Sequence, residues 1–363
     1  MRGTILGGLV LLMACGGETQ KAVETPKVAP PPSATVEAPD AAPAASATPP
    51  AAPPFDAFTA ARTIMEGFNR QDSMKYGGAY TADAVLAIAG SPDYKGAQIV
   101  AEHQRLIEAF PDTRMNGFRL LSVGNKDGDG GLAVLEWVLS ATQQSDWMGV
   151  KPARKGVGVR GVSVMWLAGD GTIKNEHRYY DVANMLGQVG GLPGKWRAIP
   201  MIPAQMKSVP ATGAASESAN VDTVKKMLAS LEAKKEADFL GAQNDSVELD
   251  DLTRSESYLT IADTKKMYDA WTKSFTDLKI AITNAWGFGD FVAIEMVVTG
   301  KQTGAFDGYL ASGKALSLHK VGVYQMKDGK VFKGWTYGNG LEMRVQMGTF
   351  KMPPMTPLKT PGK

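Results

Sequence analysis

The chain contains the same order of predicted elements twice, and this internal repeat constrains the fold more than any other feature of the sequence. Each copy begins with an amphipathic helix, predicted over 58–69 in the first copy and over 221–235 in the second. Alternating strands follow, and 132–138 in the first copy corresponds to 291–297 in the second. Because the helices come first and hairpin-linked strands follow, each copy is predicted to be an α+β domain.

Shifts in composition divide the chain further. Two segments are rich in Ala and Pro and lack the apolar periodicity of a packed element, which is typical of linkers and of disorder. The predicted parts are a signal peptide over 1–14, a disordered linker over 15–54, domain 1 over 55–190, a linker over 191–219, domain 2 over 220–348 and a flexible tail over 349–363.

The first residues resemble a bacterial lipoprotein signal. Arg2 precedes an apolar run over 5–13 that is too short to span a membrane permanently. The run ends in a Leu-x-Ala-Cys motif at 12–15 that resembles a lipobox, and Cys15 is the only cysteine of the chain. The resemblance implies cleavage before Cys15 and lipid on Cys15, which would anchor the protein in the cell envelope. By analogy with known lipoproteins, Gly16 after the cysteine implies the outer membrane, facing the periplasm or the surface. An ordinary signal peptide with a chance cysteine is the alternative.

Charge and residue usage exclude several classes of function. The chain has 39 Lys and Arg against 37 Asp and Glu, so no basic field indicates a nucleic-acid partner. A single cysteine excludes an intramolecular disulfide and a thiolate metal cluster. The histidines His103, His177 and His319 are far apart and form no zinc-binding pair. Cysteine and histidine usage therefore predicts no metal site.

Two motifs match known sites in spacing and fail in context. The segment 125–136 has the spacing of a calcium loop, but a strand is predicted where that motif needs a helix, so a hairpin turn is the better interpretation. Gly156, Gly158 and Gly161 have the spacing of a dinucleotide fingerprint but lie inside an alternating strand. Neither motif predicts a binding site.

Five short motifs occur in a specific order in the first copy, namely Gly149-Val150-Lys151-Pro152-Ala153-Arg154-Lys155, Arg160-Gly161-Val162, Asp170-Gly171-Thr172-Ile173, Tyr180-Asp181 and Gly187-Gln188-Val189-Gly190. In this order they resemble the SnoaL-like polyketide cyclases and ester cyclases of the nuclear transport factor 2-like superfamily. The resemblance implies two tandem cone-shaped domains, each a curved, mostly antiparallel sheet wrapped around N-terminal helices, with an apolar pocket at one end. It also implies that the two domains pair through their sheets as a pseudo-dimer.

The same resemblance implies a cyclase reaction in which an aspartate on the last strand removes a proton from an activated carbon, without metal or cofactor. An ungapped comparison from the Asp-Gly turn places this position at Arg178 in the first copy and at Thr336 in the second, and neither residue is a base. Whether the chain is an enzyme is therefore open. The candidate catalytic residues are Asp181, Glu136 and His177.

Candidate ligand-binding residues lie mainly on the last strand of each copy. Strand alternation places Glu176, Arg178 and Tyr180 on one face and His177 and Tyr179 on the other, so only one of these sets lines a pocket. A buried Glu-Arg pair would either bind a polar ligand or be a satisfied ion pair. The candidates are Glu176, Arg178, Tyr180, Glu295, Trp335 and Tyr337.

Three functions remain open on the sequence alone. The leading prediction is an envelope-anchored lipoprotein whose SnoaL-like domains bind a small, largely apolar molecule, with a more degenerate second copy. One alternative is an ester cyclase or isomerase-like enzyme that uses a pocket carboxylate, Asp181 or Glu136, as general base. The other is a non-catalytic interaction scaffold whose pockets are closed by their own side chains.

Overall fold

The structure is a computed structural model that describes residues 56–125 and 129–353. The predicted signal peptide, Cys15, the first linker and the end of the predicted tail lie outside these residues. Within them, no helix combines the length and the apolar character needed to cross a membrane.

Domain 1 begins with helices, as the repeat predicts, but two strands precede its third helix and the remaining strands follow it. Asp56 caps the first helix, because its carboxylate accepts hydrogen bonds from the backbone of Phe58 and Thr59. The elements are α1 (Ala57–Asn69), α2 (Ser73–Gly77), β1 (Tyr80–Ile88), β2 (Tyr94–Lys95), α3 (Ala97–Ala109), β3 (Arg114–Gly124), β4 (Gly131–Thr142), β5 (Gly156–Leu167), β6 (Ile173–Tyr180) and α4 (Val182–Gln188).

Domain 2 repeats this order with small differences. Its first helix begins at Ala215, before the predicted start at 221. The elements are α5 (Ala215–Glu232), α6 (Glu236–Gly241), β8 (Gln243–Asp251), α7 (Ile261–Ser274), β9 (Phe275–Phe288), β10 (Phe291–Gln302), β11 (Ala315–Lys327), β12 (Lys330–Tyr337) and α8 (Gly340–Met347).

The predicted linker between the domains contains regular structure. The strand β7 (Lys207–Pro210) pairs in parallel with β3 and becomes the last strand of the sheet of domain 1. The backbone N–H of Ala211 then donates to the carbonyl of Ser122, which extends the contact towards α5. The connection is therefore part of a folded domain over much of its length.

Each domain has one sheet, and the two sheets have the same core topology. The order is β2-β1-β6-β5-β4-β3-β7 in domain 1 and β8-β12-β11-β10-β9 in domain 2. Most neighbours are antiparallel, and β1 pairs in parallel with β6 as β8 does with β12. The prediction of an α+β fold with two tandem domains is confirmed. Gly156, Gly158 and Gly161 lie inside the strand β5, so the dinucleotide-like spacing falls on a strand, as predicted. Glu136 lies inside the strand β4, where a calcium loop would need a helix.

Three apolar clusters hold the chain together. One fills the concave side of each sheet, between the sheet and its helices. The third lies between the outer faces of the two sheets and is built from both domains: Ala89, Leu121, Leu132, Val134, Val162, Val164 and Tyr179 from domain 1, and Leu252, Phe288, Ala293, Val321, Val323 and Tyr337 from domain 2. The outer faces of the central strands are therefore buried, whereas a single domain would expose them to water.

The beginning of the predicted tail is also packed. Phe350 and Met352 lie against the core of domain 1, although they follow the last helix of domain 2. The predicted flexible tail thus starts later than residue 349.

Candidate functional site

The concave side of domain 1 is filled by its own side chains. Glu176 and Arg178 form an ion pair with 2.8 Å between Oε1 and Nε. Arg178 Nη2 donates to the hydroxyl of Tyr76 at 2.7 Å, and the Tyr80 hydroxyl donates to Glu176. All four side chains are buried. Every charge in this network has a partner within the protein, so the pair is a satisfied structural element.

Trp137 fills the other side of the same space. Its indole lies over Gly161, where a Cβ atom would be only 2.2 Å from the ring. The indole N–H donates to Ser163 at 3.1 Å, and the ring packs against Tyr180 with 5.8 Å between centroids. Only glycine at 161 allows this close approach, which explains one glycine of the rejected dinucleotide pattern.

His103 lies in the same interior and is neutral. Its Nδ1 is 2.8 Å from the Ser73 hydroxyl, and its ring stacks on Tyr76 at 4.2 Å. Burial, helped by the charge of Arg178, lowers the pKa of His103 to about 3. His103 therefore serves as a packed polar residue of the core.

The registers of the sheets show which residues of the two domains correspond. Ile88 lies opposite Arg178 in domain 1, as Asp251 lies opposite Thr336 in domain 2. Further along the sheet, Glu136 lies opposite Val162, as Glu295 lies opposite Val321. Four large or charged side chains of domain 1 have smaller counterparts in domain 2: Leu231 for Phe68, Met296 for Trp137, Gly334 for Glu176 and Thr336 for Arg178. The reverse holds at one place, where Lys320 stands in domain 2 and Gly161 in domain 1.

Domain 2 consequently contains a cavity on its concave side. The cavity has a volume of about 60 Å³, whereas one water needs roughly 10–15 Å³. Its walls are mostly apolar and include Met227, Leu231, Phe239, Met296 and Val298. The prediction that the second copy is the more degenerate binding domain stays a prediction, and this cavity lies in that second copy.

An ion pair forms the polar end of the cavity. Lys320 Nζ lies 3.2 Å from Asp251 Oδ2, and both side chains are buried. Asp251 also accepts hydrogen bonds from Thr253, at 3.1 Å from the backbone N–H and 2.7 Å from the hydroxyl. Burial raises the pKa of Asp251, but the charge of Lys320 and the Thr253 donors outweigh it, so the pKa lies below its usual value. Asp251 is therefore an ionised and weakly basic carboxylate.

A smaller compartment of about 20 Å³ adjoins the cavity. Asp251, Trp271 and Lys320 border both spaces. The walls of the smaller compartment also include Arg254 and Phe306. Domain 2 thus has two adjoining spaces with mostly apolar linings, and the charged residues Asp251, Arg254 and Lys320 border the smaller one.

The sequence matches the family model of SnoaL-like polyketide cyclases over residues 58–189 and again over 222–347. The chain belongs to this family. No curated protein matches it. Among solved structures, AclR from Streptomyces galilaeus is 21% identical, covering 37% of this chain and 99% of AclR with a TM-score of 0.34. A SnoaL-like protein from Jannaschia sp. CCS1 is 18% identical, covering 38% and 97% with a TM-score of 0.35. IdmH from Streptomyces antibioticus is 20% identical, covering 37% and 98% with a TM-score of 0.33.

The two carboxylates Glu136 and Glu295 lie between the SnoaL-like domains. Glu136 accepts a hydrogen bond from the Tyr337 hydroxyl of domain 2 and pairs with Arg119 at 2.7 Å. Glu295 accepts a hydrogen bond from the Tyr179 hydroxyl of domain 1 at 2.8 Å. The arrangement is reciprocal, because each domain supplies the tyrosine that binds the carboxylate of the other.

His177 and Asp181 also lie at this contact. His177 Nδ1 is 2.8 Å from Glu295. Asp181 caps α4 through the backbone of Ala183 at 3.0 Å and accepts from the backbone of Gly340 in domain 2 at 2.9 Å. Burial raises the pKa of Asp181 to about 6, although the charge of Arg344 and the hydrogen bonds oppose the shift. The three catalytic candidates stay predictions, and the structure places none of them on the wall of the cavity in domain 2.

The six predicted ligand-binding residues divide between two places. Glu176, Arg178 and Tyr180 face the interior of domain 1, as strand alternation predicts. Glu295, Trp335 and Tyr337 lie between the domains: Glu295 binds the residues described above, Trp335 stacks on Arg119 at 4.3 Å, and Tyr337 binds Glu136. None of the six lines the cavity.

The residues that do line the polar end of the cavity were missed from the sequence. Lys320 interrupts the apolar alternation of β11, and Asp251 ends β8. The lysine is the usable signal, because a charged residue at a buried position of a strand needs a buried partner. Asp251 lies nearly seventy residues earlier in the chain, so the pairing becomes evident only when β8 and β11 are brought together.

Proposed function

We propose that the protein is an envelope lipoprotein whose second SnoaL-like domain binds a small, largely apolar molecule. The cavity of domain 2 carries this proposal, since a concave, mostly apolar space with one polar end is the usual form of a small-molecule site. Domain 1 has the same fold with a filled interior and supports domain 2 as the other half of a pseudo-dimer.

Binding is favoured over the family's cyclase reaction. Thr336, at the position that the comparison from the Asp-Gly turn assigns to the family's catalytic aspartate, lines the cavity, and its hydroxyl is not a base. Two carboxylates also line the cavity, and both are engaged: Asp251 by Lys320, and Asp250 by Arg197 at 2.5 Å. An ester cyclase or isomerase-like enzyme would need Asp251 as its base, and the lowered pKa of Asp251 makes it a weak one.

The filled interior of domain 1 is what a non-catalytic scaffold would have. The open interior of domain 2 does not fit a scaffold, because a cavity lowers the stability of a core and has no role in a scaffold. The scaffold alternative therefore describes domain 1 better than the whole protein.

Native mass spectrometry of the full chain, purified from its own host in mild detergent, tests ligand binding. The expected result is one small molecule per chain that is released on denaturation. Leu231→Phe narrows the cavity and should abolish this mass, while the matched variant Phe68→Leu, at the corresponding place in domain 1, should keep it. A bare mass for the unmodified protein, measured with its fold intact, would contradict the proposal.

The location in the envelope rests on the Leu-x-Ala-Cys motif at 12–15. Fractionation of cells that produce the wild type and Cys15→Ser is the direct test. The wild type should sediment with the membranes and carry lipid on Cys15, and the variant should lose the lipid. Equal membrane association without lipid in both would contradict the lipoprotein proposal.

A further inference from the structure

Arg254 lies in an unusual environment beside the cavity of domain 2. It follows β8, its side chain is only 15% exposed, and it lines the smaller compartment. Within the described residues, its guanidinium makes no hydrogen bond, and Nη1 is buried without a partner. The opposite charge beside it is Asp307, whose Oδ1 is 3.7 Å from Nε, which is too long for a hydrogen bond.

Three other buried arginines donate hydrogen bonds, and Arg119, whose Nη1 also lacks a hydrogen-bond partner, lies 2.7 Å from the carboxylate of Glu136. Arg178 binds Glu176 and two tyrosine hydroxyls. Arg197 binds Asp250 and backbone carbonyls. Arg344 binds the Tyr309 hydroxyl at 2.6 Å and a backbone carbonyl at 3.0 Å. Because a buried charge without hydrogen bonds is costly, the donors of Arg254 indicate an acceptor that comes from outside the chain.

Two of the three carboxylates that border the compartment are engaged elsewhere, and the third, Asp307, lies beside Arg254 without a hydrogen bond to it. Asp251 pairs with Lys320, and Glu342 pairs with His319 Nδ1 at 2.6 Å. The guanidinium carbon of Arg254 lies 5.0 Å from the ring centroid of Phe306 and 5.7 Å from that of Tyr258. Such cation–π contacts do not use the N–H donors, which leaves them available for an anion.

The sizes of the two spaces match a ligand with two parts. The smaller compartment, about 20 Å³, has room for one or two water-sized groups of roughly 10–15 Å³ each, as two carboxylate oxygens are. The larger chamber has apolar walls. At the junction, Lys320 Nζ makes only long contacts, at 3.2 and 3.4 Å to Asp251 and 3.5 Å to Thr253, so its ammonium group can also turn towards an anion.

We propose that the ligand of domain 2 is an amphipathic carboxylic acid, bound as its carboxylate by Arg254 with its apolar body in the larger chamber. The planar guanidinium offers two parallel donors to a carboxylate, which is the arrangement in which arginine binds most strongly. This inference rests on the proposed function, since it names the class of molecule that the same domain binds.

Calorimetric titration of the full chain with hexanoate and with hexan-1-ol tests the inference, with detergent-only titrations as blanks. The two probes share the apolar chain and differ in the charged group. Hexanoate should bind about tenfold more tightly than hexan-1-ol to the wild type, because the charged hydrogen bonds form only with the carboxylate. Arg254→Gln should remove this preference and leave hexan-1-ol binding unchanged.

Two further variants serve as controls for the effect of Arg254→Gln. Arg254→Lys keeps the charge and should keep part of the preference, and it serves in place of Arg254→Gln if thermal unfolding shows that the latter is misfolded. Arg105→Gln removes an arginine that pairs with Glu102 in domain 1, and it should leave both affinities unchanged.

The outcomes separate the two proposals. Equal affinities for the two probes, or a preference that survives Arg254→Gln, would overturn the carboxylate inference and leave ligand binding intact. If neither probe binds and native mass spectrometry finds no ligand, the proposed function itself fails.

Discussion

The interiors of the two domains solve the same packing problem with different side chains. In domain 1, Trp137 and the Glu176–Arg178 pair fill the concave side of the sheet. In domain 2, Met296, Gly334 and Thr336 occupy the corresponding places, and a cavity remains. The backbone topology is shared, so the difference between a filled and an open interior lies in a few side-chain volumes.

The largest effect is expected from breaking the ion pair of domain 1. Glu176→Ala leaves Arg178 buried without its counter-charge and should lower the free energy of unfolding by about 3–5 kcal/mol, measured by urea denaturation. The double variant Glu176→Ala/Arg178→Met leaves no buried charge and should cost clearly less. Equal losses in the single and the double variant would show that the pair does not fill domain 1 in the way described.

Removing the large side chains tests the packing difference directly. Trp137→Ala opens a cavity in a filled interior and should cost about 3–5 kcal/mol of unfolding free energy. Met296→Ala enlarges an existing cavity and should lower the free energy of unfolding by about 2 kcal/mol, at the low end of the range for replacing a buried Leu, Ile or Met by Ala. If both domains lost the same free energy, the contrast between a closed and an open interior would not hold.

The helix caps at corresponding places differ by one ionisable group. Asp181 caps α4, and Asn339 caps α8. The pKa of Asp181 is raised to about 6, above the unfolded value near 3.8, so its contribution to stability is present below pH 4 and is lost as the pH rises through 6. Asp181→Asn should therefore stabilise the protein by about 1–3 kcal/mol at pH 7.5 and change little at pH 4.

Urea denaturation at both pH values measures this effect. The pKa of His319 is also raised, so its contribution to the free energy of unfolding also falls as the pH rises, in the wild type and in Asp181→Asn alike. Only the difference between the two proteins therefore reports on Asp181. A difference that did not depend on pH would argue against a protonated Asp181 at the domain contact.

The smallest effect is expected from filling the cavity. Leu231→Phe places a larger ring in empty space and should change the free energy of unfolding by less than about 1 kcal/mol. Ile64→Phe puts the same ring into the filled interior of domain 1 and should cost about 1–3 kcal/mol. Thermal and urea unfolding of the pair compare the two interiors, and equal costs would contradict the difference between them.

Much of the architecture could be predicted because it depends on local periodicity. The amphipathic helix over 58–69 and the alternation along β6 follow from spacing alone, and both appear in the structure. The strand β7 could not be predicted, because four residues in a Pro-rich segment carry no periodic signal and their pairing with β3 is a tertiary effect.

The site was harder to predict because its shape and its polar contacts depend on side chains that lie far apart in the sequence. The shared carboxylates Glu136 and Glu295 were visible in the sequence, but their partners come from the other domain. The cavity of domain 2 depends on volumes contributed by several elements at once. The alternation of residues along a strand shows which side chains face the interior. It does not show which side chains of other elements fill the space opposite them.

The reciprocal contact between Tyr337 and Glu136 and between Tyr179 and Glu295 has an evolutionary consequence. In a dimer of identical chains, any substitution appears in both subunits, so one interior cannot close while the other stays open. Joining the two copies in one chain removes that restriction. After such a duplication, one copy is free to accumulate side chains that stabilise it, and the other keeps the space needed for a ligand.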